Sequence, residues 1–146
     1  MAVDVTAQGT WPNAEDVVKA LCRGVLVDGQ PVRRVGRETA PGDRFETPCI
    51  RVERTGGQIN RDFTADDPLV EVACFGDSYE QAQAMSGSVA RLMEASLGER
   101  IGSTEQLTGY ADIEVVRQEN GPQRPAWGPN ARRDITTWRL SWRPNF

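Results

Sequence analysis

The sequence predicts an α+β fold in a single domain, with a mixed, mainly antiparallel sheet of four to five strands and two helices packed on one face. Three observations predict it. An apolar run over residues 68–75 leads directly into an amphipathic stretch over 78–97, a second apolar stripe follows Asn13, and residues 134–143 alternate strictly. A chain of 146 residues is long enough to bury most of its apolar surface in one domain.

The N-terminal region divides into an arm and a first helix. Residues 1–12 show no periodicity and are expected to form an arm, which leaves 13–146 as the domain. Asn13 can cap a helix because its side-chain oxygen can accept hydrogen bonds from the free N–H groups of the first turn. The helix is expected to end near Gly24, or alternatively to continue to Val27.

The next segment predicts short strands and polar loops. The Asp-Gly pair at 28–29 suits a tight turn with positive φ and predicts a hairpin, and residues 38–47 are expected to form a loop. Residues 48–54 alternate between apolar and polar side chains, which predicts a half-buried strand. The glycine pair at 56–57 is expected to turn this strand, and residues 58–67 to form a long polar excursion.

The run over residues 68–75 predicts an inner strand, because Glu71 is its one charged residue and both faces can be covered. Ser78 and Gln81 fit a capping box that starts a long helix, and Gly98 is expected to stop it. The apolar stripe of that helix consists of Ala82, Met85, Val89, Leu92 and Leu97.

Two strands and a loop are predicted for the C-terminal region. Residues 110–118 alternate as a strand. Residues 119–131 contain prolines and glycines at a density that predicts a loop without regular structure. The last strand covers 134–143, and its apolar face consists of Trp138, Leu140 and Trp142.

Composition excludes several classes of function. The net charge of −4 argues against a dedicated nucleic-acid binder, which needs a basic surface. The chain has no histidine, so Ser-His-Asp and Cys-His catalysis and histidine-containing metal sites are excluded. The three cysteines have no CxxC spacing and are expected to be small buried hydrophobes. Neither a leader sequence nor a membrane span is predicted, so the protein is expected to be soluble and cytosolic at synthesis.

Few residues suggest chemistry, and each has a simpler interpretation. Glu71 could have a raised pKa within its apolar strand, but a solvated or arginine-paired carboxylate is commoner. Asp62, Asp66 and Asp67 lack the spacing of a calcium loop and indicate an acidic surface loop. Trp127 lies in a Pro/Gly loop, where it either contacts a partner or folds back onto the domain. No catalytic, cofactor-binding or metal-ligating residue is predicted.

The order of segments resembles a known family. An N-terminal helix precedes PCIRVERTGG, a polar excursion, then DDPLVEVACFGDSYEQAQAMSGSVARLM, a further strand, a Trp/Pro loop and RRDITTWRLSWRP. Over residues 13–143 this series resembles the small tail terminator proteins of long-tailed bacteriophages, particularly phages of actinobacteria. The family shows the same strand leading into an alanine-rich helix and the same late W-x-P loop before the last strand.

The resemblance implies a structural protein of the virion tail, not an enzyme. It implies a homo-oligomer, a hexameric ring, at the head-proximal end of the tail. There the ring caps the tail tube, stops its polymerisation and joins it to the neck or connector protein. Genomic DNA passes through the centre without sequence-specific binding. Neither a cofactor nor a membrane is involved.

The ring and tube contacts are expected to fall to three segments, 33–37, 58–67 and 119–131, because these are long and have little prospect of burial within the domain. The rival interpretations are a head-closure or connector protein of the same particle and, from other classes, a small carboxylate-dependent enzyme or a ligand-binding module. The expected contact residues are Arg33, Arg34, Arg37, Phe63, Asp66, Asp67, Arg124, Trp127 and Arg132.

Overall fold

A computed structural model describes residues 13–32, 34–36, 47–59, 66–101, 111–123 and 133–143. Within these ranges the chain forms two helices and eight strands. In chain order they are α1 (Ala14–Cys22), β1 (Leu26–Val27), β2 (Gln30–Pro31), β3 (Arg34–Gly36), β4 (Cys49–Ile59), β5 (Asp66–Phe75), α2 (Tyr79–Ala95), β6 (Arg100–Ile101), β7 (Ala111–Gln123) and β8 (Arg133–Arg143).

Six of these strands form one sheet in the order β3-β4-β5-β8-β7-β6, and β1 and β2 form a separate hairpin. Neighbours in the large sheet are antiparallel except β3 and β4, which are parallel. The α+β class with a mixed, mainly antiparallel sheet and two helices is confirmed, but the predicted count of four to five strands is wrong. The two edge strands, β3 with three residues and β6 with two, are too short to show an alternating pattern.

The apolar core lies between the helices and one face of the sheet. The central strand is β5, as predicted, because it pairs with β4 on one side and β8 on the other. Its residues Val70, Val72 and Cys74 are fully buried and belong to one apolar cluster with residues of both helices. The two largest side chains of this cluster are Trp138 and Trp142 of β8, and Leu140, the third residue of the predicted apolar face, also belongs to it.

Both helix starts follow the predicted capping. The side chain of Asn13 accepts hydrogen bonds from the backbone N–H groups of Glu15 and Asp16, at 2.9 and 3.2 Å. In α2 the Ser78 hydroxyl accepts from the Gln81 N–H at 3.1 Å. The Gln81 side chain accepts in turn from a backbone N–H one residue before Ser78. Each cap satisfies N–H groups that have no partner inside the helix.

Helix α1 ends before the predicted hairpin around residues 28–29 begins. Helix α1 finishes at Cys22, so the alternative in which it continues to Val27 is wrong. Val27 instead pairs with Gln30 across a two-residue turn. The turn residues Asp28 and Gly29 both have positive φ, 51° and 77°, as this type of tight turn requires.

The buried stripe of α2 differs from the prediction at its C-terminal end. Ala82, Met85 and Val89 are buried as expected, but the next buried position is Met93. Leu92 is partly buried, and Leu97 is 54% exposed. The helix period of 3.6 residues turns Leu92 away from the stripe and brings its neighbour onto it. Leu97 follows the last helical residue, and Gly98 has the predicted stop conformation at φ 79°.

The glycine pair at 56–57 does not turn the chain. Strand β4 continues through both glycines to Ile59 and pairs with β5, so the predicted excursion over 58–67 shrinks to the connection 60–65. The register shifts by one residue between Arg54 and Gly56, which marks a β-bulge. Gly57 has φ 85°, so the two glycines serve a bulge rather than a turn.

We expect Gly57→Ala to destabilise the protein by at least ~1 kcal/mol, because alanine is strained at positive φ. A Cβ atom at position 57 would also lie 2.0 Å from the backbone oxygen of Asp67. Because the atom in contact belongs to the backbone, no side-chain rotation can relieve this clash. Urea unfolding followed by circular dichroism measures the loss. Gly87→Ala is the matched control in α2, where a Cβ meets no atom within 4 Å. It should stabilise by about 0.5–1 kcal/mol, and equal effects at the two sites would contradict the bulge geometry.

Strand β7 also extends beyond its predicted end. It continues to Gln123 through Gly121 and Pro122, residues that were predicted to break regular structure. Its outer neighbour β6 pairs only with Ala111 and Asp112. Among the described residues no strand partner faces the later part of β7 on that side, and a proline at such an edge removes no ladder hydrogen bond. The connection to β8 is therefore 124–132.

Candidate functional site

The long strands of the sheet run between two ends, which we name after the first and last residues of β5. At the Asp66 end, β5 begins with Asp66 beside Trp142 of β8. At the Phe75 end, it finishes with Phe75 between Cys49 of β4 and Arg133 of β8. Because β5 has ten residues, the two ends lie about 30 Å apart.

Six of the nine predicted contact residues belong to segments at the Phe75 end. Arg34 begins β3 opposite Cys49. The connection 124–132 leaves β7 after Gln123, which pairs with Ile135 near the start of β8. Both segments therefore meet the sheet at this end. The predicted residues here that lie outside the described part of the chain are Arg33, Arg37, Arg124, Trp127 and Arg132.

The remaining three predicted residues belong to the Asp66 end. Phe63 lies in the connection 60–65, which is outside the described residues. Asp67 is half-buried and Asp66 is 1% exposed. The described side chains of the predicted set are thus these two aspartates, and partner contact by the nine residues stays a prediction.

Asp66 is bound by Arg54, a residue that was not among the predicted contact residues. The guanidinium of Arg54 donates two hydrogen bonds to the Asp66 carboxylate, at 2.9 and 3.0 Å, and a third to the backbone oxygen of Gly56 at 3.0 Å. The paired fork of donors is the geometry in which arginine binds a carboxylate most strongly. A signal existed in the sequence, because Arg54 shares the strand face of Ile50 and Val52 and a charge on that face needs a partner.

The sheet face opposite the main core carries a second cluster at the Phe75 end. Cys49, Ala73 and Phe75 are buried there. The guanidinium carbon of Arg51 lies 5.9 Å from the centre of the Phe75 ring, and its Nη2 lies 3.1 Å from the carboxylate of Glu71. Glu71, the candidate for carboxylate chemistry, is therefore arginine-paired, which was the commoner interpretation.

On the strands β7 and β8, one glutamate accepts hydrogen bonds from two arginines. Glu119 of β7 accepts hydrogen bonds from Arg117 at 2.7 Å and from Arg139 of β8 at 2.8 Å. These hydrogen bonds lower the pKa of the Glu119 carboxyl below its ordinary range, and the bond from Arg117 has the larger effect. Asp112 is held in the same way by Arg100, whose hydrogen bond lowers its pKa. Paired charges of this kind are solvated contacts that add little to stability.

Metal-ligating side chains and thiols are the remaining reactive groups of the described residues. Among them, no group of three or more Cys, Asp or Glu side chains could hold a metal ion. All three cysteines are buried, as predicted. Burial raises the pKa of the Cys22 thiol to about 12 and also raises the pKa of Cys74. The thiols of Cys22 and Cys74 are therefore held protonated in the core.

The described residues form a small α+β domain whose long strands end at two opposite ends of one sheet. The family of phage tail termination proteins matches residues 10–143, so the chain belongs to that family. This confirms the resemblance on which the sequence interpretation rested and assigns the protein a structural role in the phage tail. No curated protein sequence matches the chain. No helix in the described ranges is long and apolar enough to cross a membrane.

Proposed function

We propose that the protein forms a ring, a hexamer, that caps the head-proximal end of the tail tube. The ring stops further addition of tube subunits and joins the tail to the neck or connector protein. Genomic DNA passes through its centre without sequence-specific binding, and the net charge of −4 limits adhesion of that DNA. The domain of 13–146 is the protomer, and residues 1–12 are an arm.

The observation that supports this proposal is that the described strand ends, from which the connecting segments start, fall into two groups about 30 Å apart. A protein that sits between a tube and a neck needs two binding surfaces that point in opposite directions. The sheet supplies a rigid spacer of ten and eleven residues in β5 and β8 between those surfaces. Membership of the tail termination family supports the same arrangement.

The proposal assigns residues to each surface. The Phe75 end contributes Arg33, Arg34, Arg37 and the segment 124–132 with Trp127. The Asp66 end contributes the connection 60–65 with Phe63, together with the half-buried Asp67. Which of these surfaces meets the tube is decided by the experiment.

The test measures tail length by electron microscopy in a phage whose gene for this protein has been deleted. We expect overlong tails without the protein and normal tails after complementation. Replacement of 124–131 by a Gly-Ser segment of equal length should leave a folded domain that fails to restore one of the two junctions. Loss of length control assigns the Phe75 end to the tube, whereas normal tails without heads assign it to the neck.

Arg91→Ala is the matched control, because Arg91 lies on the exposed side of α2 and bonds Ser88 in its own helix. It should restore normal particles. Tails of normal length in the deletion phage would overturn the proposed function and favour a head-closure or connector role. Normal infectious particles with the Gly-Ser segment would overturn the assignment of 124–131.

A further inference from the structure

The large sheet has an uncovered stretch of strand on each of its two edges. On one edge β3 pairs with β4 over 49–51, so 52–59 has no strand partner on its outer side among the described residues. On the other edge β6 pairs with Ala111 and Asp112, which leaves 114–121 of β7 uncovered within the same part of the chain. Backbone N–H and C=O groups along such edges are available to a further strand.

The two uncovered stretches lie at the same level of the sheet. One row of paired residues crosses the four long strands from β4 to β7 and consists of Arg54, Val70, Trp138 and Gln118. Both outer strands have a register shift beside this row, before Gly56 in β4 and before Asn120 in β7. Because bulges bend the strand that contains them, the two edges bend at nearly the same level.

The short strands β3 and β6 project from opposite ends of these two edges. β3 lies beside β4 at the Phe75 end, whereas β6 lies at the Asp66 end, beside the residue of β7 that pairs with Arg143. If β4 of one copy lay beside β7 of another, β3 would meet only the last row of β7, and β6 would lie beyond Ile59. Three antiparallel pairings separate β4 from β7, so the two strands run in opposite directions and can pair as antiparallel neighbours.

The exposed side chains of the two edges also have complementary charges. Glu53 of β4 is exposed and lies directly opposite Glu71, a like-charged pair that destabilises a sheet. Glu71 has an arginine partner in its own protomer, whereas no ion pair joins Glu53 to another described residue. Arg117 of β7 lies on the same face, because it pairs with Arg139, which alternates with core residues of β8. Its side chain is 66% exposed, and its row is within the diagonal reach of Glu53.

We propose that the protomers of the ring join edge to edge, with 52–59 of β4 in one copy paired antiparallel with 114–121 of β7 in the next. Glu53 of the first copy then lies beside Arg117 of the second. This inference rests on the proposed function and adds to it the contact that holds the ring together. Because the two edges differ, the contact is head-to-tail, and contacts of this kind close into rings. One sheet continues through all copies, with the helices on one side of it.

The test reverses one charge at a time and complements the deletion phage with each variant. Glu53→Arg places two arginines at the joint and Arg117→Glu places two glutamates there, so each variant alone should lose tail-length control as completely as the deletion does. Both variants should fold. Glu53→Arg removes the repulsion from Glu71 within the protomer, and Arg117 belongs to an exposed ion pair that adds little stability. Thermal unfolding followed by circular dichroism checks this.

Expression of the two variants together is the decisive measurement. In a ring of alternating variants, every joint again contains one glutamate and one arginine, so the mixture should restore the normal tails that neither variant restores alone. The matched controls are Glu94→Arg and Arg91→Glu, which reverse exposed charges on α2, away from both edges. Each control should restore normal tails.

Normal tails with either single variant, or failure of the mixture while both proteins fold, would overturn the inference. The proposed function fails separately, if wild-type protein does not restore tail length in the same deletion phage. Light scattering of the purified proteins then measures the joint directly. Larger oligomers in the mixture than in either variant alone support the joint, and equal masses overturn it.

Discussion

Trp138→Ala is expected to lower the free energy of unfolding by about 3–5 kcal/mol. Trp138 is 1% exposed and lies in β8, whose neighbours β5 and β7 cannot close over the space that the indole leaves. The indole N–H also donates a hydrogen bond of 2.9 Å to the hydroxyl of Thr136, which is itself buried. Its loss leaves that hydroxyl without a donor in addition to the cavity. Urea unfolding followed by far-ultraviolet circular dichroism measures the change.

Trp138→Phe separates the two contributions, because phenylalanine retains an aromatic ring but cannot donate to Thr136. We expect a clearly smaller loss than for alanine. A loss well under 1 kcal/mol for the alanine variant would contradict the position of this side chain in the core.

Met93→Ala is expected to cost about 2–5 kcal/mol, because its side chain is fully buried between α2 and the sheet. Leu92→Ala is the matched control at the adjacent position. The apolar stripe read from the sequence predicted the full loss of stability at Leu92. In the structure Leu92 is partly buried, and its side chain lies 3.3 Å from the position that a Cβ atom on Gly24 would occupy. We expect the smaller loss at Leu92, and the reverse order in urea unfolding would show that the sequence stripe was right.

Elements with a strong local signal were predictable. Asn13 and Ser78 are caps because their own side chains bond the next turn, so a few neighbouring residues contain the whole interaction. The apolar run of β5 required cover on both faces wherever it lay in the fold. Its central place in the sheet followed from its composition.

Features that depend on a distant partner were not predictable in this way. The glycine pair at 56–57 has the same local sequence whether it turns or bulges, and the difference comes from residues 67–69 on the facing strand. Gly121 and Pro122 are accommodated because the outer side of β7 is an edge, which is a property of the strand order. The sheet order itself was not readable from the periodicity of any one strand.

The candidate site shows the same division. The predicted contact residues were chosen because their segments are polar and hard to bury, which is local information. Their separation into two ends of the sheet comes from strand pairing. The partner of Arg54 lies twelve positions away, so the sequence could indicate that this charge needed a partner but not which aspartate supplied it.

The strand order has a consequence for synthesis on the ribosome. Strand β8 comes last among the described elements, yet it lies between β5 and β7 and joins the two halves of the sheet. A nascent chain that stops before Arg133 has β3, β4 and β5 on one side and β6 and β7 on the other, with no strand between them. The contacts between β5 and β8 join residues that are far apart in sequence, and such contacts form slowly. The six-stranded sheet can therefore close only after the ribosome has released β8.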